Sequence, residues 1–272
     1  MGLTEQKSNI QVIAVIPARY HSTRLEGKLL LPLAGKPLIL HTAERVRSAR
    51  NIDRVIVATD DPRIKEAVEN AGCGSYGCVM TSPDHQSGSD RIAEAAETFS
   101  AGTIVVNVQG DEPMINTATI ERAVEAMLAA EAGGADIVTS CEPINDIKDV
   151  LSPDVVKVVI DTEGFALYFS RAAIPFPREA VKKHGDLASA LQNEPEMLAA
   201  FRKHTGLYVY RREYLLKYTK LEQTPGEKLE MLEQLRALEN GARIKVIEAA
   251  QASIGVDTEE DYQRVRKILE NL

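Results

Sequence analysis

Three cations, Arg19, Arg24 and Lys28, fall within ten residues on a stretch that also holds Ser22, Thr23 and Gly27. Arginine presents a planar fork to phosphate oxygens and lysine a mobile point charge, so together they suit a triphosphate. A solvated basic loop is the plainer reading of the same residues. The spacing does not spell G-x-x-x-x-G-K-[ST], which excludes a Walker-type phosphate loop. Gln109-Gly110-Asp111-Glu112-Pro113 carries a second signal, because paired carboxylates suit a hard cation such as Mg2+. Asp111 is the expected ligand, and Gly110 would let a phosphate approach the backbone. The alternative there is a solvated turn. Asp257, just before Thr258, is either a second metal ligand or a charge at a helix start.

Two further stretches offer polar side chains without nucleophilic chemistry. Ser82 to Arg91, SPDHQSGSDR, suits the edge of a base or ribose, while Ser87 or Ser89 equally suits a helix N-cap. Glu230 and Gln234, four residues apart on an expected helix, could hold sugar hydroxyls or simply face water.

The elements that must position these residues follow from periodicity. Val12 to Ile16 is a continuous apolar run, the pattern of a parallel strand buried on both faces, with Pro17 expected to end its ladder. Ligands of open α/β sheets sit beyond the carboxyl ends of the strands, which is where the basic stretch begins. Leu38, Ile39, Thr42 and Val46 mark a helix, Val55 to Ala58 a second strand, and Asp61-Pro62 an N-cap opening a helix to Ala71. Gly72 to Gly77 matches G-x-G-x-x-G, yet it follows a helix and precedes a short strand, the wrong context for dinucleotide binding. Thr103 to Val108 is a strongly apolar strand that delivers Gln109 and Asp111, and a helix with Ile120, Val124, Met127 and Leu128 inward follows it.

Beyond Asp136 the alternation of strand and helix breaks. Asp136 to Cys141, Val155 to Asp161 and Phe165 to Ser170 read as strands, the last two joined by a hairpin at Asp161 to Gly164. Lys182 to Phe201 is charged, poorly periodic and expected to be a mobile excursion. Thr205 to Arg211 restores a strand, Glu227 to Asn240 a helix with Met231, Leu235 and Leu238 inward, and Arg243 to Glu248 a late strand.

With 272 residues, 44% apolar and 26% charged, the chain has the composition of an ordinary globular protein. A net charge of -8 argues against general binding to nucleic acid or anionic membranes, both of which need a basic surface. No apolar run approaches the ~20 residues that cross a bilayer. Cys73, Cys78 and Cys141 cannot all pair and match no common zinc spacing, so reduced thiols in a cytoplasmic protein are expected.

Taken together, IPARYHSTRL, IVATDD, DHQSGSDR, VVNVQGDEP, ALYFSRAAIP, HTGLYVYR, LEMLEQLR and GVDT resemble the 3-deoxy-manno-octulosonate cytidylyltransferases, the CMP-Kdo synthetases of lipopolysaccharide biosynthesis. The match runs from about Val12 to Leu269. The resemblance implies a Rossmann-like nucleotide-diphospho-sugar transferase fold. That is a single α/β domain over 1–272, with a mixed, mainly parallel sheet and a smaller antiparallel, sugar-facing lobe at roughly 140–215 that would form a homodimer. It implies that CTP and the sugar acid Kdo become CMP-Kdo and pyrophosphate. Arg19, Arg24 and Lys28 would hold the triphosphate, Ser87 and Arg91 would help recognise cytidine, and Asp111 and Asp257 would bind Mg2+. Arg171, His204, Tyr208, Glu230 and Gln234 would face the sugar acid, with Gln109 between the substrates and Arg19, Lys28, Asp111 and Asp257 as the catalytic set. A two-metal arrangement would account for carboxylates so distant in sequence, one ion activating the hydroxyl and the other gripping the triphosphate.

The chain departs from the family's usual R-L-P-G-K-P-L by reading Arg24-Leu25-Glu26-Gly27-Lys28-Leu29-Leu30, which removes both prolines and adds an acid near the phosphates. A less preorganised loop with weaker CTP binding is expected. Competing readings are a cytidylyltransferase for another sugar acid, such as 8-amino-Kdo or a sialic acid, and a non-catalytic nucleotide sensor on the same fold. The sensor predicts loss of Lys28, Asp111 or Asp257, and all three are present.

Overall fold

The structure, a computed structural model, describes residues 10–22, 25–72, 76–130 and 134–271; Arg24 and Cys73 lie outside them. In chain order the strands are β1 (Val12–Ala18), β2 (Pro32–Leu33), β3 (Lys36–Pro37), β4 (Arg54–Thr59), β5 (Gly77–Met80), β6 (Ile104–Asn107), β7 (Ile137–Pro143), β8 (Lys157–Ile160), β9 (Ala166–Ser170), β10 (Arg202–Arg211) and β11 (Ile244–Glu248). The main sheet runs β11-β7-β10-β6-β1-β4-β5. β1, β4, β5 and β6 pair in parallel, as do β7 and β11, while β10 lies antiparallel between β6 and β7. The architecture is therefore the mixed, mainly parallel α/β sheet expected.

All seven residues of β1 are buried, because helices cover both faces of a sheet whose central strands are almost wholly apolar. One core packs Val12, Ala14 and Ile16 with the helices Leu38–Arg47 and Thr117–Ala129; the other packs Ile13 and Val15 with the helix Gly88–Ala96 and the second half of the chain. Pro17 does not end β1, which continues to pair Pro17 with Ala58 and Ala18 with Thr59. Pairing with β6 stops at Val15, so the missing N–H faces a side where no ladder remains. Leu128 is 42% exposed rather than inward, since the helix turns it away from the sheet while Ile120, Val124 and Met127 stay buried.

The β8–β9 hairpin joins the sheet through the pair Lys157 and Lys203 and a bridge from Phe165 to Lys245 of β11, forming the expected antiparallel extension. Lys182 to Phe201 is folded, contrary to expectation. The helices Arg178–His184 and Leu187–Asn193 and a 3-10 turn, Pro195–Ala200, bury Leu191 and Phe201 against Ile144 and Val150. Irregular apolar spacing arises there because each helix spans only two turns and Asp186 caps the second through the Ser189 amide.

The expected helix from Glu227 to Asn240 is two helices, Pro225–Glu230 and Glu233–Glu239, separated by Met231 at φ 53°. Met231 is 76% exposed instead of inward. The break is fixed by Glu227, whose carboxylate accepts from Thr224 N–H at 3.3 Å and takes a two-pronged bond from Arg236 at 2.9 and 2.8 Å. Glu230 and Gln234 therefore do not share one helix face.

Candidate active site

Lys28 sits in a short turn at the carboxyl edge of the sheet. Gly27 occupies φ 63°, ψ 17°, and Lys28 N–H bonds back to Leu25 O at 3.3 Å, which makes Leu25 to Lys28 a type II turn with Glu26 at its second position. The turn aims the Lys28 ammonium between two carboxylates, 2.5 Å from Asp111 Oδ2 and 3.0 Å from Asp257 Oδ1, and it also donates to Val256 O at 3.0 Å. Burial lowers the pKa of Lys28, but the Asp111 and Asp257 carboxylates outweigh that and hold it above the ordinary lysine value. Residues 28, 111 and 257 thus meet at one point.

Gly110, expected to admit a phosphate, also has a packing role. A Cβ there would stand 3.1 Å from both Ile39 Cδ1 and Pro17 O, and Thr42 Oγ1 donates to Gly110 O at 2.9 Å. Its bare backbone lets the Asp111 turn lie against β1.

Beside Asp111, Glu112 is half-buried and its pKa is pushed up to about 7, first by desolvation and then by the nearby carboxylates Asp111, Glu142 and Asp257. Glu112 accepts from the Ser253 hydroxyl at 2.5 Å, and Glu142 accepts from Ser253 N–H at 3.0 Å. The Lys203 ammonium, 3.0 Å away, balances Glu142.

Arg19 donates to His85 O at 2.7 Å, tying the basic stretch to the loop before the helix Gly88–Ala96. In that loop Ser87 is the N-cap, accepting from Asp90 N–H at 3.1 Å, while Ser89 lines a cavity. Arg91 is fully buried, bonded to Thr81 and to Asp60 at 2.8 Å, so it holds the loop from beneath instead of reaching a base.

Two cavities flank Gln109, which lines both and donates to Asn107 Oδ1 at 3.1 Å. The larger, about 670 Å³, gathers Ser89, Arg171, Tyr208, Tyr210, Glu233 and Gln234. The other, about 440 Å³, gathers Glu112, Glu142, Lys203, His204, Ser253 and Asp257. A register slip in β10 between Thr205 and Tyr208 leaves Gly206 against the Gln109 side chain. His204 bonds Thr139 Oγ1 at 2.9 Å, and its pKa is pushed down to about 3 by burial, so it is neutral at physiological pH.

Arg171 lines the larger cavity, but its guanidinium donates to Glu230 O at 2.7 Å and Pro153 O at 2.9 Å. Glu230 lines neither cavity. Its carboxylate accepts from Ser170 Oγ at 2.6 Å and Arg171 N–H at 2.9 Å, fastening the end of β9. Glu233, which sequence reasoning missed, occupies the cavity, and desolvation raises its pKa. The signal for it was the same LEMLEQLR stretch, legible only once the helix break at Met231 is known. Glu142 and Ser253 were missed because they gain meaning only from partners over a hundred residues away.

A mainly parallel, Rossmann-like sheet with a lysine and paired carboxylates at its carboxyl edge has the architecture of a nucleotidyltransferase. The chain belongs to the cytidylyltransferase family, which it matches over residues 13–244. It is 48% identical over 257 residues to the 3-deoxy-manno-octulosonate cytidylyltransferase of Geobacter sulfurreducens, covering 94% of this chain and 98% of that one. It is 46% identical over 257 residues to the Idiomarina loihiensis protein of the same name, covering 93% and 96%. A solved CMP:2-keto-3-deoxy-manno-octonic acid synthetase in complex with CTP superposes with a TM-score of 0.83 at 39% identity, covering 96% of this chain and 99% of that one.

Proposed function

We propose that this chain transfers CMP from CTP to the anomeric hydroxyl of Kdo, releasing pyrophosphate. The observation that carries this is the convergence of Lys28, Asp111 and Asp257 beside Gln109 and two cavities, in a chain that aligns almost end to end with Kdo cytidylyltransferases. The hydroxyl oxygen forms a bond to the α-phosphorus as the bond to the departing pyrophosphate oxygen breaks, and the hydroxyl proton passes to solvent. No covalent nucleophile is needed.

Mg2+ fits the donor set. Asp111 and Asp257 offer hard oxygens that already converge on one cationic group, the Lys28 ammonium. Among the described residues no cluster of three or more His, Cys, Asp or Glu side chains is arranged for a metal. The shared seat also removes the need for two ions to explain two distant carboxylates. When bound, Mg2+ would supply charge neutralisation to the phosphates and lower the pKa of the attacking hydroxyl.

The chain's own residues would do the rest. Lys28 and Arg19 stabilise negative charge on the triphosphate as the leaving group separates. Arg24 would join them from the same stretch. Gln109 spans the two substrates, and Tyr208, Arg171, Glu233 and Gln234 orient the sugar acid in the larger cavity. His204, neutral and half-buried between Phe169 and Tyr208, lines the smaller of the two cavities.

Exposed Leu167 on β9, with Leu229 and Met231 at the turn bonded to the end of that strand, supports a homodimer built on this edge. Among the described residues no helix is long and apolar enough to cross a membrane, and Cys78 and Cys141 are unpaired. Unpaired thiols and a CTP substrate support a cytoplasmic step of lipopolysaccharide biosynthesis. Phosphorus NMR of CTP, Kdo, Mg2+ and protein tests the reaction. A new phosphodiester resonance together with pyrophosphate is expected, and CMP without that resonance would point to hydrolysis instead.

A further inference from the structure

Asp257 must stand opposite Asp111, yet it ends a segment, residues 249–257, that forms neither helix nor strand. Its place depends on individual bonds. The start of the segment is fastened by Ala249 N–H to Cys141 O at 2.8 Å and Ala250 N–H to Thr119 Oγ1 at 3.0 Å. Nearer Asp257 the grip is made by acids: Ser253 is held by Glu142 through its N–H and by Glu112 through its hydroxyl. Val256 N–H then donates to Asp111 O at 2.8 Å.

Two features mark Glu112 as more than a generic fastening. It follows Asp111 directly, so the turn that presents one site carboxylate also reaches across to the segment that presents the other. The contact is close as well. A Cβ at Gly255 would stand 3.1 Å from Glu112 Oε1 and 3.5 Å from Asp111 O, so a side chain there would push the two segments apart. Burying an acid among like charges is costly, and a neutral acceptor could have fastened a purely structural loop.

We infer that Glu112 and Ser253 are positioning residues, whose hydrogen bond sets the separation of Asp257 from Asp111 and Lys28. The inference rests on the role given to Asp257 above. Losing the bond lets Asp257 drift, so the cation seat loosens while the larger cavity, which neither residue lines, keeps its shape.

Ser253→Ala removes one hydroxyl, and Ser253→Thr keeps it and controls for shape. Glu112→Ala removes the acceptor, whereas Glu112→Gln retains an oxygen that can accept it. Mn2+ binding to nucleotide-free protein is expected to weaken about fivefold or more in Ser253→Ala and Glu112→Ala, with kcat falling about tenfold or more and KM for CTP changing less than about threefold. Glu112→Gln and Ser253→Thr should recover most of both losses, and the double alanine variant should be no worse than the worse single one. Lower thermal stability with unchanged Mn2+ affinity and kcat in both alanine variants would make the bond merely structural and overturn the inference. Asp257→Asn separates the two levels. If it abolishes Mn2+ binding and turnover while both alanine variants bind and turn over normally, the positioning role alone fails. If Asp257→Asn is itself without effect, the role of Asp257 fails and takes the positioning role with it.

Discussion

Lys28→Met tests the geometry of the site most sharply, because it should improve one property while destroying another. The Lys28 ammonium occupies the point on which Asp111 and Asp257 converge, at 2.5 and 3.0 Å. A divalent cation can use both carboxylates only after Lys28 has left them. Breaking a buried ion pair by removing one partner costs about 3–5 kcal/mol. Asp111 and Asp257 keep 28% and 49% of their side-chain surface in water, so screening reduces that to about 1–2 kcal/mol here. The same free energy opposes cation entry in the native chain, and removing it should tighten Mn2+ binding about 5- to 30-fold. Turnover should meanwhile fall about 100- to 1,000-fold, since charge developing on the phosphates loses a donor. Calorimetric titration of nucleotide-free protein with Mn2+ and steady-state pyrophosphate release measure the two effects. Equal or weaker Mn2+ binding in Lys28→Met would refute the shared seat, whatever happened to turnover.

Three further outcomes follow from the same geometry. Asp111→Asn and Asp257→Asn should each abolish Mg2+-dependent turnover with unchanged circular dichroism; near-normal rates would remove that residue from the chemistry. Glu26 occupies the turn position where proline is favoured, so Glu26→Pro should stabilise the turn by about 0.4–1 kcal/mol and tighten CTP binding, and an unchanged CTP affinity would count against a loop loosened by that acid. Glu121 has a pKa lowered to about 2 by its hydrogen bonds from Arg50, so its stabilisation is complete above about pH 4.5 and is lost as pH falls toward 2. Denaturant unfolding of Glu121→Gln should therefore show a deficit at about pH 7 that shrinks by about pH 3, and a constant deficit would contradict the assignment.

The strands of the parallel half were legible because burial on both faces leaves an unbroken apolar run, as at Val12 to Ile16, which nothing but a central strand or a buried helix explains. Asp61-Pro62 and Thr258 with Asp261 were legible for a local reason, since a cap is decided by neighbours two or three residues away. What sequence pattern missed depended on distant partners. Met231 breaks its helix because Glu227 is claimed by Arg236 and by the cap, and nothing in the local periodicity distinguishes that from a continuous helix. Lys182 to Phe201 read as unstructured because its short helices bury Leu191 and Phe201 against Ile144 and Val150, about forty to sixty residues earlier. At the site, residue types singled out Lys28, Asp111 and Asp257, but not that one ammonium joins them. Glu230 and Glu233 could not be told apart until the backbone showed which one faces the cavity.

The measurement that bears most directly on the whole account is the initial rate of pyrophosphate release with Mg2+ and each of the four nucleoside triphosphates, with and without Kdo. The account predicts release only when CTP and Kdo are both present. Release from CTP that is indifferent to Kdo, or CTP binding with no release for any sugar acid, would contradict it.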